Sequence, residues 1–377
     1  MAISNKLHRL AAHCPNGSPF VSLYLNTQAN QHGRDDFDRF LRKELSTRAK
    51  SFAEGSRNRE VFERIATRIT AFLKDRLEVA TNGLAIFASG GSSSLFEAIQ
   101  LDAPIEKNTI HVLDRPFLYP LARVIDQYPR YVALILDGTR ARLFVFSLGR
   151  TKLKAEIPNE YANQTELGER DYFQHTRRGE NQRTLFLKNV VERLERAIND
   201  EQAEHVVLAG DEVIIPPLQK LLNPEIDEKV IDILRLDINT PEHEVLRLTM
   251  RSLKEHNTHS DAEKVREVLD RYSSGGTAVV GLRDTIYALS EGQVQELLIS
   301  ASDEEIQVDR EALDQIPSVY TAPNTLSEYG TRTHSSELAA DLLVELALNT
   351  KAAVTFIEDP LLLRDFGGVA ALLRYRE

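Results

Sequence analysis

The amino-acid sequence predicts an α/β protein built from three consecutive domains. Three observations carry this expectation. The chain has 377 residues, 42% of them hydrophobic, which is enough apolar material for two or three cores, because single cores seldom grow past roughly 250 residues. Strand-like and helix-like apolar patterns alternate along its whole length. The alternation restarts twice, at Tyr131 and after Ser273, so the domains are drawn at 1–128, 129–272 and 273–377, each near the common domain size.

In the first block, Phe20–Leu25 reads as a strand rich in aromatic and aliphatic residues, followed by a polar loop to Asp36. Phe37, Phe40, Leu41 and Leu45 then recur at helical spacing, and a second helical pattern runs over 58–79. Gly83–Ala88 has the composition of a buried strand and ends in a Gly-Gly-Ser-Ser-Ser loop that begins at Gly90. A further strand lies near Ile99–Leu101, and a short helix over Pro116–Tyr128 leads out.

The second block opens on Tyr131–Leu136, a continuous apolar strand. Asp137-Gly138 turns it, Ala141–Phe146 returns, Gly149-Arg150 turns again and Leu153–Ile157 makes a third strand, a meander with tight turns. A polar stretch follows and reads as a loop up to Arg183. A helix is expected over 184–199, with Leu185, Val190 or Val191, and Leu194 on its apolar face. His205–Ala209 is the next strand, followed by a helix at Pro216–Leu222 and a strand near Val230–Leu236. The next helix opens at Thr240-Pro241-Glu242, where Thr240 suits an N-cap and Pro241 the first helical position. Meander, helix, strand, helix, strand, helix is the order of an RNase H-like domain.

The third block begins at Ser273-Ser-Gly-Gly-Thr277. A helix is expected over Val279–Glu291, a strand over Val294–Ile299 and a loop over Pro317–Gly330. Ser335–Thr350 is a strongly apolar helix, Val354–Ile357 a strand, and Val369–Tyr375 a closing strand after the Gly367-Gly368 turn. The result is a small α/β/α sandwich.

Composition narrows the function classes. A net charge of −11 argues against a general nucleic-acid binder, and against a DNA partner, because such proteins release counterions from phosphates through net positive charge. Local basic patches remain compatible with it. The single cysteine, Cys14, can form no internal disulfide, is too little for a cysteine zinc site, and reads as a passive residue. The N-terminus lacks the apolar core and cleavage site of a secretory signal, and no run of 18 apolar residues suggests a membrane span. The expected compartment is the cytoplasm.

Several constellations could carry metal or phosphate chemistry. Asp137, Asp211 and Asp237 each follow a strand, and carboxylates at strand ends of an RNase H-like sheet can hold two Mg²⁺ ions for a nuclease. Asp-Gly turns account for Asp137 without a metal. His256 and His259 stand at metal-ligand spacing with no evident third ligand, which reads better as a polar helix surface. Gly90-Gly91 and Gly275-Gly276 lack the pattern of a phosphate loop and read as turns and domain joints. No metal and no cofactor is expected.

Two stretches of the third block carry a family resemblance. Gly281-Leu-Arg-Asp-Thr-Ile-Tyr-Ala-Leu-Ser-Glu-Gly-Gln-Val-Gln-Glu-Leu-Leu-Ile-Ser300 resembles the opening of the L7Ae-like C-terminal domain of Pelota and the archaeo-eukaryotic release factors. Phe366-Gly-Gly-Val-Ala-Ala-Leu-Leu-Arg-Tyr375 is similar to its close. Pro19–Leu25, Gly83–Ala88 and the Pro116–Pro120 segment resemble the bacterial branch of that superfamily, which includes Balon-like ribosome hibernation factors. The resemblance implies Pelota/release-factor architecture, with an RNase H-like middle domain and an L7Ae-like C-terminal one. It further implies binding to the 70S ribosome at the A site, in hibernation or rescue, with a translational GTPase such as EF-Tu as partner.

Catalytic members of the superfamily carry Gly-Gly-Gln on a middle-domain loop that enters the peptidyl-transferase centre, where the Gln positions water and the glycines allow close backbone approach. The counterpart here is the polar stretch over 166–183, and Gln182 takes the place of that Gln. Glu180 and Asn181 stand where the glycines would be, and Gly179 is out of register. Glu tolerates positive φ poorly and brings negative charge to a phosphate-rich centre. Peptide release is therefore not expected, with a peptidyl-tRNA hydrolase using Gln182 as the alternative. The same region is locally basic, and Arg170, His175, Arg177, Arg178, Arg183 and Lys188, interleaved with Tyr172 and Phe173, suit contact with rRNA backbone and unstacked bases.

Overall fold

The computed structural model describes residues 3–13, 17–28, 37–78, 81–90, 94–159, 172–308 and 335–375, and of residues 4 and 172–180 the backbone alone. The expectations for Cys14, Arg170 and the 317–330 loop fall outside the described residues.

The first block contains Ile3–Ala11 (α1), Phe20–Asn26 (β1), Phe37–Ser51 (α2), Arg57–Asp75 (α3), Gly83–Ser89 (β2), Phe96–Leu101 (β3), Thr109–Leu113 (β4) and Tyr119–Gln127 (α4). Its four strands form an antiparallel sheet in the order β3-β2-β1-β4, with Leu23 opposite Ile86 on one side and Ile110 on the other. Strand period two divides β1 between two faces. Val21, Leu23 and Leu25 pack with Phe37 and Leu41 of α2 and with Val61, Phe62, Ile65 and Ile69 of α3. Ser22 and Tyr24, on the opposite face, bind the chain entering α4: Phe117 N–H donates to Ser22 Oγ, and Tyr24 Oη donates to the Phe117 carbonyl. Ser56 caps α3 by accepting from Arg59 N–H, as expected of a serine at that position. Sequence patterning does not reveal α1 and β4, both short.

The middle block contains Tyr131–Leu136 (β5), Arg140–Ser147 (β6), Arg150–Pro158 (β7), Tyr172–Glu201 (α5), His205–Gly210 (β8), Ile215–Gln219 (α6), Pro224–Glu228 (α7), Val230–Leu234 (β9) and Glu242–Ser273 (α8). The sheet runs β7-β6-β5-β8-β9, with an antiparallel meander and parallel β5, β8 and β9, which is the RNase H-like order. Val132, Leu134 and Leu136 face Phe186, Val190, Leu194 and Ile198 of α5. Tyr131, Ala133 and Ile135, on the other face, meet Val245 and Leu253 of α8.

The third block contains Ala278–Val280 (β10), Leu282–Ser290 (α9), Val294–Ser300 (β11), Ser335–Asn349 (α10), Ala353–Ile357 (β12) and Val369–Leu373 (β13). The sheet order is β10-β13-β11-β12, with only β11 and β12 parallel. Val265 and Val268, in the last turns of α8, join its core with Leu298, Ile357, Ala370 and Leu372. The chain forms two compact units, one made of the first block together with the chain from Thr258 onward, the other running from Tyr128 to Asn257.

Three local expectations are corrected. The helix α5 begins at Tyr172 rather than at residue 184. Residues 172–183 lack apolar periodicity, but arginine, glutamate and glutamine are strong helix formers, and that propensity outweighs the cost of Gly179, about 1 kcal/mol. Val279 and Val280 belong to a strand and pair with β13. Gly281, at φ +83°, then turns the chain into α9, a conformation open to glycine at little cost. Finally, the Thr240 hydroxyl donates to the Asp237 carbonyl, and α8 starts at Glu242.

Candidate functional site

The extended α5 places the candidate residues His175, Arg177, Arg178, Gln182, Arg183 and Lys188 on one helix of 30 residues rather than on a loop. Among its described side chains the core-facing stripe begins at Phe186. Before that point Asn181, Thr184 and Leu185 are exposed, while Gln182 and Arg183 are half-buried. The helix therefore has a packed C-terminal part and an N-terminal stretch whose described side chains contribute nothing to the fully buried core.

The candidate side chains differ in what they can offer a ligand. The Arg183 guanidinium donates to the carbonyl oxygen of Val213, in the turn after β8, so it is anchored while keeping its charge. Lys188 is exposed. Gln182 lies one turn before Phe186, at the margin of the buried stripe. A Gln on a regular helix, after Asn181, does not have the glycine-permitted backbone approach that a Gly-Gly-Gln loop provides.

The three strand-end carboxylates have local employment. Asp137 Oδ1 accepts from the Thr139 N–H at 2.7 Å, the Thr139 hydroxyl at 2.8 Å and the Arg140 N–H at 3.0 Å. Burial pulls its carboxyl up, but these bonds and the Arg140 charge outweigh that and hold it below the usual range. Asp211 accepts from Val213 and Ile214 N–H, and Asp237 from Asn239 N–H. The buried Arg142 of β6 donates to the carbonyls of Ile238 and Thr240. Among the described residues no group of three His, Cys, Asp or Glu side chains is arranged to hold a metal ion. His256 stacks edge-on to His205, and His259 faces Glu263. Among the described residues no helix is long and apolar enough to cross a membrane.

A further cluster, not foreseen from sequence, binds the first and third blocks together. The buried Asp341 of α10 accepts from the N–H groups of Leu118 and Tyr119, capping α4 from a residue more than two hundred positions away. Unpaired donors at a helix start favour a carboxylate there. Burial, followed by the Glu345 charge, pushes the Asp341 carboxyl up to about 8. At the other end of α4, Asp126 accepts from Phe356 N–H of the edge strand β12 at 3.1 Å, and burial raises it to about 7. Tyr119 Oη donates to the Ser300 carbonyl at 2.9 Å.

The mixed α/β chain, with an RNase H-like middle sheet and a small four-stranded α/β block at its end, has the architecture of release-factor-like proteins. Residues 116–254 match the model for bacterial archaeo-eukaryotic release factor family 10, and residues 258–377 match the model for eRF1 domain 3. The chain belongs to the bacterial archaeo-eukaryotic release factor/Pelota superfamily. Among solved structures it is similar to archaeal Pelota in a model of the ribosome-bound protein with ABCE1, at 15% identity over 99% of this chain and 94% of that one, with a TM-score of 0.43. It is also similar to S. cerevisiae Dom34, a translation termination-like factor, at 13% identity over 78% and 81% of the two chains, with a TM-score of 0.40. The archaeal termination factor aRF1 matches at 14% identity over 99% and 96%, with a TM-score of 0.26. A search of curated proteins gave no match.

Proposed function

We propose that this chain is a cytoplasmic ribosome-binding factor that occupies the A site in hibernation or rescue and does not release peptide. The observation that carries the reading is the pair of family matches that together run from residue 116 to 377. The segment that ends in the N-terminal part of α5 is the part directed at the peptidyl-transferase centre, and Arg170, which precedes the helix, with His175, Arg177, Arg178, Arg183 and Lys188 on it, are the rRNA contacts. The first block sits toward decoding, and the third engages a translational GTPase such as EF-Tu. Weak contacts from several linked parts add up to stable binding, because each one raises the effective concentration of the next. Peptidyl-tRNA hydrolysis through Gln182 is disfavoured by Glu180-Asn181 and by the helical setting of Gln182.

Co-sedimentation with 70S ribosomes, paired with release of labelled peptide from P-site peptidyl-tRNA, tests this. The expected result is binding without release, weakened by Arg177→Ala/Arg178→Ala. Release that disappears in Gln182→Ala would overturn the non-catalytic reading, and absence of binding at every salt concentration would overturn ribosome binding.

A further inference from the structure

We infer that the outer face of α2 and the flank of α3 on the β3 side form another RNA-backbone surface, separate from α5. Residues 37–76 hold eleven Lys and Arg against six Asp and Glu, a net charge of +5 in a chain of net −11. The acids do not neutralise this surface evenly. Glu44 pairs with Arg48, and Glu54 and Glu63 both pair with Arg59. Among the described residues no carboxylate pairs with Arg39, Lys43, Lys50, Arg57 or Arg64, and all five are exposed.

Helical spacing arranges these cations in rows. Arg39, Lys43 and Lys50 lie at i, i+4 and i+11 on the side of α2 opposite the buried Phe37 and Leu41. Arg57, Arg64 and Arg68 lie at i, i+7 and i+11 on α3. Each row runs roughly 16 Å along its helix. The Arg68 guanidinium lies over the Phe96 ring at 4.6 Å to its centroid, which places the α3 row along the β3 side of the sheet.

The occupant follows from what these faces contain and lack. Guanidinium groups bind phosphate in bidentate fashion and ammonium groups bind it as point charges, and rows of both suit a polyanion whose charges repeat. A membrane-surface helix needs large apolar residues to insert beside its cations, and no exposed large hydrophobic side chain occurs between residues 37 and 76. The family matches begin at residue 116, so they do not account for this surface. The inference extends the ribosome-binding reading to the first block but makes no use of α5, and the two can fail separately.

The test is binding of the full chain to short labelled RNA oligonucleotides, single-stranded and duplex, over a salt series. The comparison variant is Arg39→Gln/Lys43→Gln/Arg57→Gln/Arg64→Gln. A control of equal charge change, Arg193→Gln/Lys220→Gln/Lys351→Gln/Arg364→Gln, alters exposed cations elsewhere. The α2/α3 variant is expected to weaken binding at least tenfold and to reduce the log–log salt slope by about 3 on single-stranded RNA. The control and Arg177→Ala/Arg178→Ala should retain that part of the slope. An unchanged slope in the α2/α3 variant overturns the proposal. So does equal competition by polyglutamate or by anionic vesicles, which would assign the surface to an acidic protein or a membrane. Loss of ribosome binding in the α5 variant with oligonucleotide binding intact would separate this surface from the α5 reading.

Discussion

Two sets of aspartates in this molecule have opposite circumstances. Asp137, Asp211 and Asp237 follow strands of the middle sheet, and each accepts from N–H groups two or three residues further on. Asp126 and Asp341 accept from N–H groups more than two hundred residues away in the chain. The turn aspartates resemble a metal site in sequence, and each accepts from the N–H groups of its own turn. The long-range pair is inconspicuous in sequence, Asp341 lying within a strongly apolar helix, yet it joins two blocks of the chain. The difference teaches that the cost of a buried carboxylate, and so its structural consequence, depends on the partners it finds across the fold.

Removing the long-range acceptor should have the largest effect. Asp341→Ala leaves the Leu118 and Tyr119 N–H groups buried without a partner, at a cost of about 3 kcal/mol. With its carboxyl raised to about 8, the side chain is mainly protonated near neutrality, so Asp341→Asn keeps the acceptor and should cost less than about 1 kcal/mol. Thermal unfolding followed by circular dichroism, with hydrogen exchange at the α4 amides, measures both. Equal destabilisation by Ala and Asn would remove the capping role from this residue.

The pH dependence sharpens the contrast. Asp341 and Asp126 are raised in the fold to about 8 and about 7, so the folded state holds protons that the unfolded chain releases. Their stabilisation is complete below the unfolded carboxylate pKa and is lost as pH rises through those values. Buried His111 acts in the opposite sense. Burial, then the Arg48 charge, lower it to about 3, so its stabilisation is present above the unfolded histidine value and is lost as pH falls. Between about pH 7 and 8 His111 is largely neutral in both states, and stability should fall by about 1 kcal/mol. Asp341→Asn should remove most of that slope. A flat profile for the parent protein in this window would contradict the burial of these groups.

The smallest effect belongs to the turn aspartates. Asp137→Asn keeps an acceptor for the Thr139 and Arg140 N–H groups and should shift stability by less than about 1 kcal/mol. In the combined Asp137→Asn/Asp211→Asn/Asp237→Asn variant, millimolar Mg²⁺ should move the melting temperature no more than it does in the parent protein. A Mg²⁺-dependent stabilisation present only in the parent would restore the metal reading that local capping replaced.

Much of the fold is legible in the sequence because strands and packed helices write their burial into period two and period 3.6. The β5–β6–β7 meander, the order of the middle sheet and the apolar α10 all follow from such patterns. The candidate site is less legible. The start of α5 is polar and has no stripe to mark it, so patterning alone assigns Gln182 to a loop although it lies within a helix. The basic rows of α2 and α3 are present in the sequence, but they gain meaning only once Phe37, Leu41 and Ile65 fix which sides of those helices face outward.

The sequence by itself determined the α/β class and the strand order of the middle block, because each is a local property of residue type and spacing, and two stretches of the third block carried the resemblance to the superfamily. Tertiary structure alone decided that Asp341 caps α4, that Arg183 is anchored to the Val213 carbonyl, and that Asp137 serves its own turn. Those outcomes depend on which distant groups reach one another after the chain collapses, and a hydrogen bond between residues 118 and 341 leaves no periodic trace in the sequence between them.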